Sequence, residues 1–314
     1  MKANKLVILS SDAEVYLEII TKAALPMLAI EISREVNLEN RHISECDILL
    51  GSPDLVSRAL PHVGGLKWVQ STWAGINSIM APGLRRDYML TGVKGIFGPL
   101  MGEYVICHLL MHVRDSLQRY RNQLEKKWDM TPPGTLQEKT IGIMGLGSIG
   151  RHIAKMVLPF GMKTRGFSRS RTSCEGIEHC FLPHQLITFV RDLDYLVCVL
   201  PDTPETSELL NESVLRAMRD TALIINVGRG NVVHEPSLVR ALENGTLGGA
   251  VLDVFQEEPL PVPHPLWESP NTIITSHTAA MSSPELVAPI FIENYHRFIH
   301  NMPLNYLIDF DTGY

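Results

Sequence analysis

The chain has 314 residues, enough for two ordinary domains, and its 45% hydrophobic and 20% charged content is that of a globular protein with a packed core. Its 34 acidic and 28 basic residues are interspersed along the sequence, for a formal charge of -6, without the dense basic face that phosphate backbones demand, which argues against nucleic acid as a partner. No apolar run approaches the ~20 residues of a membrane-spanning helix, so a membrane is not an expected partner either.

The opening stretch, MKANKLVILSSDAE, has two lysines and a short apolar run, but acid follows at once and no small-residue cleavage site closes it, so LVILS reads as a first buried strand. From Leu6 to about Ile96, short apolar runs (LVILS, CDILL, KWVQS) alternate with helix-like segments and Gly/Pro punctuation, which predicts a small α/β unit. One long helix is predicted between Gly102 and Trp128, apolar in its first half and strongly charged in its second. The segment MTPPGTLQEK ends it, because two prolines and a glycine cannot continue a helix. Beyond that break, TIGIMG, MKTRGFS, DYLVCVLP, TALIINVG, GAVLDVF and TIITS are β-rich runs separated by helix-length segments, the pattern of parallel strands covered on both faces. They predict a doubly wound nucleotide-binding domain over residues 100–279. The tail adds a helix, PELVAPIFIENYHRFIHN, and an extended end, PLNYLIDF, expected to fold back so that residues 280–314 join residues 1–99 in the other domain. The five cysteines, Cys46, Cys107, Cys174, Cys180 and Cys198, form no CxxC pair, and their odd number argues against a disulfide framework and for a reducing cytoplasm. Cys174 and Cys180 with His179 match no zinc spacing and lack a fourth ligand, so no metal is expected.

The strongest local motif is IGIMGLGSIGRHIA, in which Gly145, Gly147 and Gly150 follow a predicted strand and open a predicted helix. Gly145 allows the tight turn, Gly147 lets the backbone approach a pyrophosphate, and Gly150 lets helix and strand pack closely. The free N–H groups of Ser148 and Ile149 then face the negative charge. At the end of the next strand, where an acid would hold the ribose 2′-hydroxyl of NAD, the sequence reads GFSRSRTS. Ser168 stands at the acid position and Arg169, Ser170 and Arg171 follow, so an acceptor is replaced by donors and positive charge that suit a 2′-phosphate. NADP(H) is therefore the expected cofactor, with NAD(H) the alternative should these residues form an ordinary solvated loop.

Three charged residues follow the last predicted strands, where open α/β sheets place their ligands: Arg229 in INVGRG, Glu258 in LDVFQEEPLP and His277 in TSHTAA. A 2-keto acid needs a cation for its carboxylate, a proton donor for its carbonyl oxygen, and a group that keeps the donor charged. Arginine, histidine and glutamate supply these in turn, with Glu258 favouring the protonated imidazole. Each residue alone has a bland alternative; their joint placement makes the case.

These motifs, with WAGIN (73–77), GEY (102–104), LPDTPET (200–206), PLWESPNTIITSHTAA (265–280) and the terminal GY, make the sequence similar over nearly its whole length to the D-isomer-specific 2-hydroxyacid dehydrogenases, most closely the glyoxylate/hydroxypyruvate reductase A group. The resemblance implies an α/β fold of two Rossmann-like or flavodoxin-like domains, doubly wound parallel sheets with a cleft between them, and a homodimer formed with the help of the helix from Gly102. It implies NADPH-dependent reduction of small 2-keto acids such as glyoxylate and hydroxypyruvate. It also implies that Asp253 holds the nicotinamide carboxamide, that Pro201, Thr206 and Val227 touch the cofactor, and that the amides of Ala74 and Gly75 receive the substrate carboxylate. Two departures stand out: Trp73 replaces a small residue beside the substrate loop, and Ser276 replaces the proline that commonly precedes the histidine. A dinucleotide-sensing interaction protein on the same fold, or a dehydrogenase of another small anion or a bulkier 2-keto acid, are the alternatives.

Overall fold

The computed structural model describes residues 3–36 and 41–311; the terminal GY motif lies outside them. The chain divides into two compact units, one made of the residues up to Ile96 together with those from Ser282 onward, the other Phe97–Met281.

The first unit is built on a parallel sheet. Its elements are β1 (Asn4–Leu9), α1 (Ala13–Lys22), β2 (Leu28–Ser33), α2 (Arg41–Ser44), β3 (Ile48–Gly51), α3 (Pro53–Ala59), β4 (Trp68–Ser71) and β5 (Met89–Thr91). The strands lie in the order β2-β1-β3-β4-β5. β3 and β4 are buried along their whole length and β1 over Leu6–Leu9, as the uninterrupted apolar runs require. At the sheet edge β2 alternates half-buried and exposed positions over Leu28–Ile32, the pattern of a strand covered mainly on one face.

The second unit opens with α4 (Gly98–Val113) and α5 (Ser116–Leu124), then runs β6 (Thr140–Met144), α6 (Ser148–Val157), β7 (Lys163–Phe167), β8 (His179–Phe181), α7 (Leu186–Val190), β9 (Tyr195–Cys198), α8 (Glu212–Ala217), β10 (Leu223–Asn226), α9 (Glu235–Glu243), β11 (Gly249–Leu252) and β12 (Thr272–Ile274). Its seven strands are parallel in the order β12-β11-β10-β9-β6-β7-β8. Strand order reverses between β6 and β9, the switch point at which such sheets bind ligands at their carboxyl ends.

The single helix expected over 102–128 is two helices. Asp115 takes a left-handed conformation, φ +52°, between Val113 and Ser116, and its carbonyl accepts the Arg119 amide of the second helix. Aspartate tolerates that conformation better than most side chains, so the charged half of the segment restarts at a new angle. Lys126, again left-handed at φ +56°, closes the turn after α5, and Trp128 lies in the extended segment beyond. α4 packs on α6 through glycines: a Cβ on Gly98 would meet His152 at 2.9 Å, and one on Gly102 would fall on the Met156 sulfur.

The last helix, α10 (Pro284–Ile299), returns to the first unit. There the fully buried Trp68 stacks on Phe291, ring centroids 5.1 Å apart, and on Phe298. The Tyr295 hydroxyl donates to the Pro26 carbonyl at 2.8 Å. The extended end is tied to the sheet where Ile308 donates to Leu90 and Gly92 donates to Tyr306.

Candidate active site

The loop from β6 into α6 has the shape its glycines predict. Gly145 lies at φ +103°, and a Cβ there would press on the Val199 carbonyl at 2.8 Å. A Cβ on Gly150 would sit 1.9 Å from the Gly145 carbonyl oxygen, so only glycine lets the helix start this close to the strand. At Gly147, by contrast, a Cβ would meet nothing within 4 Å: the space over this peptide is open. The amides of Ser148 and Ile149 open α6 with no backbone acceptor among the described residues, leaving donors and the positive end of the helix for an anion. The open peptide and the free amides together fit a dinucleotide pyrophosphate.

Beyond β7 the chain turns through Ser168, whose hydroxyl accepts the Arg171 amide at 3.2 Å and whose own amide donates to Phe181. Arg169, Ser170 and Arg171 are exposed. A cavity of about 410 Å³ has Glu175 and Glu178 on its wall and is lined as well by Arg171 and, from α6, by Arg151, a guanidinium that the motif did not single out. The signal was its position directly after Gly150. After β9, Thr206 folds back so that its hydroxyl donates to the Pro201 carbonyl at 2.7 Å and accepts the Thr203 amide, bringing two of the expected cofactor contacts into one turn. Val227, buried, follows β10 and donates to the Cys198 carbonyl of β9.

The catalytic candidates occupy the carboxyl ends of β10, β11 and β12. Arg229 is shaped by Asn226, fully buried, whose side-chain oxygen accepts the Gly228 amide and whose side-chain N–H donates to the Arg229 carbonyl. The guanidinium itself donates to the Gly228 carbonyl at 2.7 Å. His277 Nδ1 and Glu258 Oε2 are 2.7 Å apart, and the other Glu258 oxygen accepts the Phe255 amide at 2.9 Å. A carboxylate only accepts, so Nδ1 carries the proton of the pair and Nε2 is left for another partner. The imidazole is 52% exposed, open to a ligand.

His277 has φ +55°, a left-handed backbone that favours glycine. Asp253, 1% exposed, holds this conformation: its carboxylate accepts the Thr275 hydroxyl at 2.5 Å and the amides of Thr278 and Ala279 at 2.8 and 2.9 Å, while its carbonyl accepts the His277 amide. The buried carboxylate is thus engaged by the loop that carries the histidine, a task the sequence reading did not give it. Tyr104 of α4 extends the chain. Thr275 spends its proton on Asp253, so the Tyr104 hydroxyl must donate to Thr275, at 2.7 Å. Burial pushes the Tyr104 phenol up to about 12, which keeps it a donor throughout the neutral range.

Trp73, Ala74 and Gly75 belong to the first unit, in the loop after β4. The Ser71 hydroxyl donates to the Trp73 carbonyl at 2.8 Å and accepts the Trp73 amide, leaving the indole 52% exposed. All five cysteines are free, and among the described residues no cluster of His, Cys, Asp or Glu is arranged to hold a metal ion. Among the same residues no helix is long and apolar enough to cross a membrane.

Comparison with known proteins bears out the resemblance carried by the motifs. Residues 106–279 match the D-isomer specific 2-hydroxyacid dehydrogenase NAD binding domain. Glyoxylate/hydroxypyruvate reductase A of Escherichia fergusonii is 34% identical over 258 residues, 79% of this chain and 82% of that one. The crystal structure of a D-isomer specific 2-hydroxyacid dehydrogenase family protein from Aeromonas salmonicida is 42% identical and superposes with a TM-score of 0.96, covering 99% of this chain and 100% of the other. That of the NADPH-dependent glyoxylate/hydroxypyruvate reductase of Sinorhizobium meliloti, in complex with NADP and sulfate, is 28% identical with a TM-score of 0.85, over 99% and 100% of the two chains. With a dinucleotide loop at the switch point of a parallel sheet and an imidazole–carboxylate pair on the same sheet's carboxyl edge, the chain belongs to the D-isomer specific 2-hydroxyacid dehydrogenases and is an NAD(P)-dependent oxidoreductase.

Proposed function

We propose that this protein reduces small 2-keto acids, glyoxylate and hydroxypyruvate first among them, with NADPH. The observation that carries the proposal is the 2.7 Å contact between His277 Nδ1 and Glu258, which leaves Nε2 of a half-exposed ring free to take up and give away a second proton. When bound, the reduced nicotinamide supplies the hydride that the substrate's carbonyl carbon receives. His277 Nε2 gives the carbonyl oxygen its proton, so ketone, hydride and proton sum to the hydroxy acid. Glu258 fixes the ring's tautomer and balances its charge, and Arg229 grips the substrate carboxylate and polarises the ketone. A proton donor positioned in this way contributes roughly 10²- to 10⁴-fold in rate.

Gly145, Gly147, Ser148, Ile149 and Gly150 take the pyrophosphate. Ser168, Arg169, Ser170 and Arg171 take the 2′-phosphate, a reading supported by the exposed guanidinium beside the Arg151-lined cavity and by the NADP bound to the Sinorhizobium relative. Pro201, Thr206 and Val227 contact the rest of the cofactor, and Asp253 can add the carboxamide through lone pairs its loop bonds leave over. Ala74 and Gly75 receive the substrate carboxylate with Trp73 beside them. The active form is a homodimer, favoured by an exposed apolar stripe that includes Leu117, Tyr120, Leu124 and Trp128. Five free thiols favour the cytoplasm as its location.

The test is a steady-state rate matrix of NADPH and NADH against glyoxylate, hydroxypyruvate, pyruvate and a bulky 2-keto acid. Highest kcat/KM with NADPH and one of the two small acids is expected. Absence of turnover with every 2-keto acid would overturn the reading, and preference for NADH would overturn the assignment of the 168–171 loop.

A further inference from the structure

The segment that carries Glu258 is held from beneath by a second, buried carboxylate. Glu235 opens α9 and is 7% exposed. One of its oxygens accepts the Gln256 amide at 2.9 Å, and the Gln256 side chain donates to the Val233 carbonyl at 2.8 Å, so this residue is fastened twice to the chain entering α9. The neighbouring amide, that of Phe255, is the one that Glu258 accepts. The other Glu235 oxygen lies 3.3 Å from His264 Nε2. His264 Nδ1 accepts the Leu266 amide at 3.3 Å, so the ring's proton sits on Nε2, the nitrogen that faces Glu235. One oxygen of the buried acid is thus hydrogen-bonded to the 255–266 segment, and the other faces the histidine of the same segment.

The same entry to α9 also carries Arg229. From Asn226 to Glu235 the chain makes the arginine turn, passes Gly230, where a Cβ would collide with the Phe255 carbonyl group, and ends on the acid that holds Gln256. We infer that Glu235 is a positioning residue for the reaction: through Gln256 and Phe255 it sets the height of Glu258 and hence the aim of the His277 ring. This rests on the reading of His277 and Glu258 as the proton-donating pair. A carboxylate this deeply buried is costly unless it is bonded, which a fold needing only a helix start would avoid by using a serine or an exposed acid.

The experiment is a double-mutant cycle between Glu235→Ala and Glu258→Gln in the full-length enzyme, with kcat, KM and NADPH affinity measured for each variant. Glu258→Gln is expected to lower kcat by about a hundredfold, and Glu235→Ala by about tenfold with NADPH affinity unchanged, both effects falling in kcat as lost transition-state positioning does. In the double variant the loss should be no larger than that of Glu258→Gln alone, because Glu235 acts through Glu258. Glu235→Gln, which keeps an acceptor for the Gln256 amide, should recover most of kcat. Multiplying losses in the double variant, or an unchanged kcat in Glu235→Ala, would overturn the inference. An unchanged kcat in Glu258→Gln would instead overturn the proton-donor reading beneath it. Should Glu235→Ala prove insoluble, Glu235→Asp, which withdraws the carboxylate by one methylene, takes its place in the cycle with the same outcomes.

Discussion

His277 carries an imidazole on backbone that glycine adopts freely and most other residues only at a cost of order 1 kcal/mol. The bonds that Asp253 makes to Thr275, Thr278 and Ala279 are what offset it, so one buried carboxylate holds the strained turn and its proton donor. Asp253, Asn226, Glu235 and Tyr104 show why this part of the site was hard to read from sequence: each is a single polar residue within or beside an apolar pattern, with partners up to 171 residues away. Arg229, Glu258 and His277 stand out in the sequence as candidates because each follows a strand that the pattern marks clearly. At the other end of the site, Arg169 and Arg171 are exposed and Ser168 holds their turn. Replacing both arginines by alanine is expected to lower kcat/KM for NADPH by about ten- to a hundredfold, the worth of one or two charge-assisted hydrogen bonds, while leaving NADH little changed. Equal losses with the two cofactors would show that these side chains do not read the 2′-phosphate.

Among the elements, the continuous apolar strands of the second unit were predicted correctly because a run buried on both faces has no competing helical period. β8 (HCF) and β5 (MLT) escaped, being three residues each with mixed burial, too short for any period to register. The break between α4 and α5 escaped because its cause is one aspartate in an otherwise helical pattern. Several elements approach closely at glycines, and at the catalytic loop a Cβ added to Gly230 would lie 1.9 Å from the Phe255 carbonyl carbon. Gly230→Ala must push the Arg229 turn away from the segment bearing Glu258. The expected result is a loss of about 1–3 kcal/mol from overpacking, read by thermal or denaturant unfolding, together with a large fall in kcat. A variant as active and as stable as the parent would mean that the two loops tolerate separation.

The two units repeat one architectural solution, a parallel sheet whose strand order reverses near its middle, with different consequences. The second places a glycine loop at the reversal, and the first does not. Leu124 on α5 is 65% exposed and Trp128 beyond it 92%, apolar surface that the proposed subunit contact would cover. Tyr120→Glu combined with Leu124→Glu should halve the mass seen by light scattering at micromolar concentration. An unaltered dimer, or a wild-type monomer, would remove the stripe as the subunit contact.

The first unit is discontinuous, and the helix that completes it arrives only after the whole second unit has been made. As the nascent chain leaves the ribosome, β4 therefore emerges with the Trp68 indole bare, and its stacking partners Phe291 and Phe298 are translated only after the whole second unit. The unit begun first is completed after the second, so the nucleotide-binding unit can acquire its own core while its elder neighbour still waits for a lid over the tryptophan.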